Sequence, residues 1–159
     1  FLRTGPSFFV ETNSPQRSGR QVLAHEYFHS LQHAAVAERG NPGAVWLREG
    51  AAEWFGWSTW ALHSGVSLTT VIASQRAVVR GEATTLESME TETGYFAAKS
   101  PYPISFAATT SLLSGTSSES LLEFYLKVTG DVPWQVTFQA VFHITVHEFY
   151  RAFESQRAK

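Results

Sequence analysis

The stretch VLAHEYFHSLQH, residues 22–33, contains the pattern His-Glu-x-x-His, with histidines at positions 25 and 29. On a helix, residues four positions apart lie on the same face, so His25 and His29 can both reach one metal ion. Glu26 stands beside the first histidine, where its carboxylate would face a water molecule held by the metal. The pattern therefore predicts a zinc site suited to hydrolysis.

A second stretch, WLREGAAEW at residues 46–54, adds two carboxylates one helical turn apart. Nineteen residues separate His29 from Glu49, the first of the two. Catalytic zinc sites generally use three protein ligands and keep a fourth position for water, so Glu49 completes a His₂Glu set. Glu53 is placed to accept the N–H of a ligating histidine and fix its tautomer. The alternative interpretation of Glu53 is an ordinary exposed carboxylate on a helix.

These two stretches, with the looser PYPISFAATTSLLSG at residues 101–115, resemble the gluzincin metallopeptidases. This is the superfamily of thermolysin and the zinc aminopeptidases, and the similarity is to its small peptidase-MA-like domains. The resemblance spans most of the chain and implies a zincin-like catalytic domain whose single Zn²⁺ is bound by His25, His29 and Glu49. It also implies Glu26 as general base and acid, Glu53 as the carboxylate behind the ligands, and a peptide or protein as substrate.

The third stretch carries an expectation about a tyrosine. In the zinc aminopeptidases, a tyrosine just before a helix rich in small residues donates a hydrogen bond to the oxyanion. Tyr102 occupies the similar place, and Tyr95 is the alternative. His143 and His147 form a second pair four positions apart, open to the role of the second catalytic histidine of thermolysin. A second metal site there is not expected, because the pair has no nearby third ligand.

Composition predicts one compact domain with enough apolar material for a single core, since 43 % of the 159 residues are hydrophobic. The net charge of −2 and the lack of a Lys/Arg run argue against nucleic acid or an anionic membrane as partners. No apolar stretch approaches the roughly 20 residues of a membrane-spanning helix. Without cysteine, only histidines and carboxylates are good zinc ligands.

Several properties stay open at this stage. The chain begins at Phe1 without a starter Met, so we interpret it as a fragment of a longer protein. Localisation is unknown, although the resemblance points weakly to an extracytoplasmic or secreted protein. The oligomeric state and the choice between endopeptidase and exopeptidase are not predicted.

The expected fold is mainly α, in the α+β sense that one short strand, Ser7 to Thr12, precedes the helices. By resemblance, that strand borders the cleft and pairs with extended substrate. Helices are predicted at about 18–39, 44–64, 67–79, 104–114, 118–129, 133–142 and 145–156. The strand and metal-binding helices occupy about 1–66, and a helical subdomain about 67–159. The polar stretch 81–93 is either a loop over the cleft or a solvated face.

Two alternative functions differ in class from a peptidase. A zincin-fold domain without catalysis could serve binding or regulation within a larger protein, but the presence of His25, Glu26, His29 and Glu49 argues against this. A purely structural helical domain would make the His-Glu-x-x-His pattern a coincidence. The spacing of Glu49 and Glu53 argues against that coincidence.

Overall fold

The computed structural model describes residues 18–36 and 43–158, and all regular structure within these ranges is helical. The helices are α1 (Gly19–Val36), α2 (Val45–Ser64), α3 (Leu68–Val79), α4 (Glu92–Ala97), α5 (Pro101–Leu113), α6 (Glu119–Lys127), α7 (Trp134–Phe142) and α8 (Val146–Arg157). The mainly α prediction is confirmed for these ranges. The strand predicted at Ser7 to Thr12 lies outside the described residues. None of the described helices is long and apolar enough to cross a membrane.

Helix α2 is the central element of the fold. It packs against α1 and α5, and it also contacts α3, α4 and a 3₁₀ turn at Glu87–Glu90. Burial on most of its sides explains its apolar character, because a helix surrounded by neighbours has little surface to give to solvent. From the sequence, the aromatic bulk of α2 predicts a core stripe, and this prediction is confirmed. Trp46, Leu47 and Trp57 are buried, and the other aromatic residues pack against the core as partly buried side chains, namely Trp54, Phe55 and Trp60.

Two glycines allow α2 to approach its neighbours closely. A Cβ atom added to Gly50 would lie 2.5 Å from the carbonyl oxygen of Ser105 on α5. A Cβ atom added to Gly56 would lie 2.8 Å from the carbonyl oxygen of Gln21 and 3.3 Å from Cβ of His25, both on α1. Because glycine lacks a side chain, the neighbouring backbones can occupy this space. The spacing of α1, α2 and α5 therefore depends on these two positions.

An aromatic group joins α2 to the carboxyl-terminal helix. The ring of Trp46 stacks on Phe149 with 5.6 Å between ring centroids. The indole N–H of Trp46 donates to the Tyr150 hydroxyl at 2.8 Å, and that hydroxyl donates to the Glu90 carboxylate at 2.7 Å. The main core takes side chains from before and after residue 66, so both regions expected from the sequence contribute to it.

The polar stretch 81–93 is mostly exposed, but several of its residues are anchored to the rest of the fold. Leu86 and Met89 are fully buried and anchor the 3₁₀ turn, and Thr91 begins α4 by accepting the Gly94 N–H. Its glutamates are not simply solvated, since Glu90 accepts from Tyr150 and Glu92 from Arg48. The scattered Glu and Thr residues of this stretch did not predict these contacts, because each contact depends on a residue far away in the sequence.

Helix boundaries otherwise follow the predicted punctuation. Thr145 followed three residues later by Glu148 predicts a capping box at the start of α8, and the structure confirms it. Pro133 lies one position before α7 rather than in its first turn. Helix α5 begins earlier than predicted, at Pro101, because a proline in the first turn lacks only an N–H that has no helical partner.

Replacing Gly50 or Gly56 by alanine should lower the free energy of unfolding by about 1–3 kcal/mol, because the added methyl group meets backbone atoms that cannot yield. Urea denaturation measures the change. Gly19→Ala is the matched control, since a Cβ atom there has no atom of the described residues within 4 Å. Wild-type stability in both Gly50→Ala and Gly56→Ala would contradict the close packing.

Candidate metal centre

Three side chains converge where α1 faces α2. The Nε2 atoms of His25 and His29 are 3.0 Å apart, and Oε2 of Glu49 lies 3.7 Å from the first and 3.4 Å from the second. Within residues 18–36 and 43–158, this is the group of histidines and carboxylates whose ligand atoms all lie close enough to hold a metal ion. The predicted ligands are thus brought together by the fold.

The spacing of these atoms fits a tetrahedral site. Ligand atoms about 2.0–2.1 Å from a tetrahedral zinc lie about 3.3 Å from one another. The three separations of 3.0, 3.4 and 3.7 Å bracket that value. Two imidazole nitrogens and one carboxylate also match the donor types that divalent transition metals accept. The group can therefore hold a metal ion after only small side-chain adjustments.

Glu53 fixes the orientation of His25. Its Oε1 atom lies 3.0 Å from Nδ1 of His25, and its Oε2 atom accepts hydrogen bonds from the Trp57 indole at 3.0 Å and the Gln21 amide at 3.4 Å. An ionised carboxylate only accepts, so the proton of the neutral imidazole belongs on Nδ1 and the lone pair on Nε2. Glu53 is buried, so the alternative interpretation as an ordinary exposed carboxylate is wrong.

Gln32 orients His29 in the same way, and the sequence pattern did not reveal this role. Its Oε1 atom lies 2.7 Å from Nδ1 of His29, while its amide Nε2 donates to the carbonyl oxygen of Arg48 at 2.9 Å. The carbonyl can only accept, which fixes the orientation of the amide and places the proton of His29 on Nδ1. In the sequence, Gln32 stands three positions after the second histidine. A glutamine at such a position is by itself typical of an ordinary polar helix residue.

Arg48 orients the carboxylate of Glu49. Its Nε and Nη2 atoms both donate to Oε1 of Glu49 at 3.2 Å, and Nη2 also donates to Glu92 at 2.6 Å. With Oε1 engaged by the guanidinium, Oε2 is the oxygen that faces the histidines. Arg48 thereby links the ligand helix α2 to the start of α4.

The electrostatics of the group favour a bound positive charge. Burial alone would lower the pKa of His29, but hydrogen bonds with Glu49 and Gln32 and the nearby carboxylates raise it above its usual value. Burial alone would raise the pKa of Glu49, but His29 and Arg48 hold it below its usual value. With both Nδ1 atoms protonated, three acceptor atoms face one another, namely Nε2 of His25, Nε2 of His29 and Oε2 of Glu49. A cation or a shared proton between them relieves that repulsion.

The predicted catalytic residues lie around this group. Glu26 is exposed, and its charge contributes to the raised pKa of His29. The ring of Tyr102 is partly buried, with its centroid 6.1 Å from that of His25. Tyr95 is fully buried, 5.6 Å from Tyr102 between ring centroids. Of the two tyrosines, Tyr102 is the one with surface to offer a substrate.

The four remaining histidines do not belong to the candidate metal group of His25, His29 and Glu49. His33 and His63 are exposed, near the ends of α1 and α2. His143 ends α7 in a left-handed conformation with φ of 59°, and His147 lies exposed in the first turn of α8. None of these four histidines belongs to a group with three convergent ligand atoms among the described residues.

Comparison of the chain with protein-family models, curated proteins and solved structures gives no match. The likeness to gluzincins therefore rests on the motif residues in the sequence. Fold and site together define a helical domain with a candidate His₂Glu metal centre.

Replacing Gln32 by leucine should weaken metal affinity by about 10–100-fold, because the tautomer and ring orientation of His29 lose their partner. Competition with a chromophoric chelator measures the affinity, and thermal unfolding verifies the fold. Gln135→Leu, at an exposed position of α7, is the matched control. An affinity in Gln32→Leu equal to that of the control would rule out this role.

Proposed function

We propose that this chain is a zinc-dependent peptidase of the gluzincin type, with His25, His29 and Glu49 binding one Zn²⁺. The observation that carries the proposal is the convergence of their three ligand atoms while buried partners face both Nδ1 atoms. The His-Glu-x-x-His pattern adds a carboxylate beside the first ligand, as metal-assisted hydrolysis requires. A peptide or protein substrate follows from the resemblance of the motifs.

The proposed reaction assigns a proton transfer to Glu26. Zn²⁺, when bound, supplies a Lewis acid that lowers the pKa of water toward neutrality and polarises the scissile carbonyl. The Glu26 carboxylate accepts a proton from the attacking water and returns it to the leaving nitrogen. The C–N bond breaks, and the products are a carboxylate and an amine. The exposure of Glu26 supports this role, since the carboxylate can meet solvent and substrate.

The other residues prepare the site rather than react. Glu53 and Gln32 keep both imidazoles with Nε2 available, and Arg48 leaves Oε2 of Glu49 for the same purpose. Holding these groups before substrate arrives avoids reorganisation during the reaction. Tyr102 is assigned as the donor of a hydrogen bond to the oxyanion, and its contact with the His25 ring supports this assignment.

The central test separates zinc binding from turnover. Glu26→Gln should retain zinc and lose about 10²–10⁴-fold in kcat on a peptide substrate, because the amide cannot accept the proton. His29→Ala should lose both zinc and activity, whereas His33→Ala, one exposed turn further along α1, should keep both. Unchanged hydrolysis by Glu26→Gln would sink the mechanism. A zinc-loaded wild type without hydrolysis of any peptide would assign a binding or regulatory domain instead.

The tyrosine assignment has its own test. Tyr102→Phe should reduce kcat by about 10²-fold with little change in KM, because the hydroxyl acts mainly in the transition state. Tyr95→Phe is the matched control, since that ring is fully buried. Full activity in Tyr102→Phe, or an equal loss in Tyr95→Phe, would remove the role from Tyr102.

A further inference from the structure

A cleft lies among α3, α5 and α8, and none of its lining residues belongs to the candidate metal group of His25, His29 and Glu49. Its volume is about 220 Å³. Three arginines line it, Arg76 and Arg80 from the α3 side and Arg157 at the end of α8. Ser111 and Gln156 also line it, with the Ser111 hydroxyl donating to Oε1 of Gln156 at 3.2 Å, and no carboxylate is among the described residues at its surface.

Arg157 is held rigidly at the wall of this cleft. Its side chain is 6 % exposed, its Nε donates to Glu154 at 3.0 Å, and its Nη2 donates to the carbonyl oxygen of Thr84. Its guanidinium also lies over the Phe153 ring, 5.6 Å from the centroid. These contacts leave its buried Nη1 without an acceptor in the described part of the protein. Native proteins rarely bury a charged donor without a partner, so this nitrogen calls for an acceptor.

The charge around the cleft is unbalanced. Glu154 offsets Arg157, and its other oxygen accepts the backbone N–H of Leu86. Arg76 and Arg80 are exposed and have no ion-pair partner among the described residues. Two positive charges therefore remain at the mouth of a cleft whose fixed wall is a third arginine. An anion entering from solvent would meet Arg76 and Arg80 first, with the buried guanidinium of Arg157 in the wall behind them.

We propose that this cleft binds the oxyanion group of a small molecule, either a phosphate or a carboxylate. Arginine is well suited to both, since its planar N–H groups match two oxygens at once. Arg157 supplies a preordered guanidinium, while Arg76 and Arg80 close over the anion from the exposed side. The Gln156 amide Nε2 adds a neutral donor, since the Ser111 hydroxyl donates to Oε1 of the same side chain, and Phe153 gives an apolar wall for the body of the ligand. This binding is independent of the metal centre and of any hydrolysis.

Titration of the whole chain with inorganic phosphate, and separately with hexanoate, followed by two-dimensional amide NMR, tests the proposal. Ionic strength is held constant with sodium chloride so that general screening does not change. We expect saturable shifts concentrated at amides lining the cleft, such as those of Ser111 and Phe153. The tighter of the two probes identifies a phosphate or a carboxylate as the natural group. Absence of a saturable shift with either probe would overturn the proposal.

Variants of the exposed arginines test the site without disturbing Arg157. Arg76→Gln and Arg80→Gln should each weaken binding by about threefold, and the double variant by about tenfold. Arg151→Gln is the matched control, because it removes the same charge from an exposed position of α8 outside the cleft. An equal loss in Arg151→Gln would mean general charge attraction and would contradict a specific site.

Discussion

The buried Glu53 carboxylate of α2 contacts Nδ1 of His25 on α1, and this contact is central both to helix packing and to the candidate metal centre. A carboxylate that is 2 % exposed is costly unless its oxygens find partners, and those partners come from His25, Trp57 and Gln21. Two of them belong to α1, so the same contact fixes α1 against α2 and orients a candidate ligand. Packing and metal-site geometry are therefore set by one arrangement of side chains.

Helix α2 contributes Glu53 to this contact and also sets the packing of its neighbours. Glu49 and Glu53 face α1, while Gly50 and Gly56 let α5 and α1 approach closely. Trp46, at the start of the helix, ties it to the aromatic residues of α8. A ligand that projects from such a buried helix has little freedom to move. A rigid scaffold of this kind suits a site whose function depends on tenths of an ångström.

The parts of the site that follow helix periodicity could be predicted from the sequence. His25 and His29, and likewise Glu49 and Glu53, are four positions apart, and that spacing alone places each pair on one face. Contacts between elements could not be predicted this way. The Gln32 amide reaches a backbone carbonyl on α2, which no side-chain pattern reveals.

The same limit applies to the segment before α5. Glu92 meets Arg48 only because α4 packs against α2, and Glu90 meets Tyr150 only because α8 returns to the 3₁₀ turn. In the sequence these glutamates are evenly scattered polar residues, typical of a solvated surface. Their roles depend on the path of the chain through three dimensions, whereas the aromatic stripe of α2 could be assigned to the core from its own spacing.

Elemental analysis of zinc in the purified chain tests whether His25, His29 and Glu49 bind the metal. Wild type is compared with Glu49→Ala and with Glu123→Ala, a half-buried glutamate on α6 outside the candidate metal group, after a mild chelator wash. We expect about one zinc per chain in wild type and Glu123→Ala, and sharply weaker retention in Glu49→Ala, since the third ligand is lost. A folded wild type without stoichiometric zinc, or full retention in Glu49→Ala, would contradict a zinc site made of His25, His29 and Glu49.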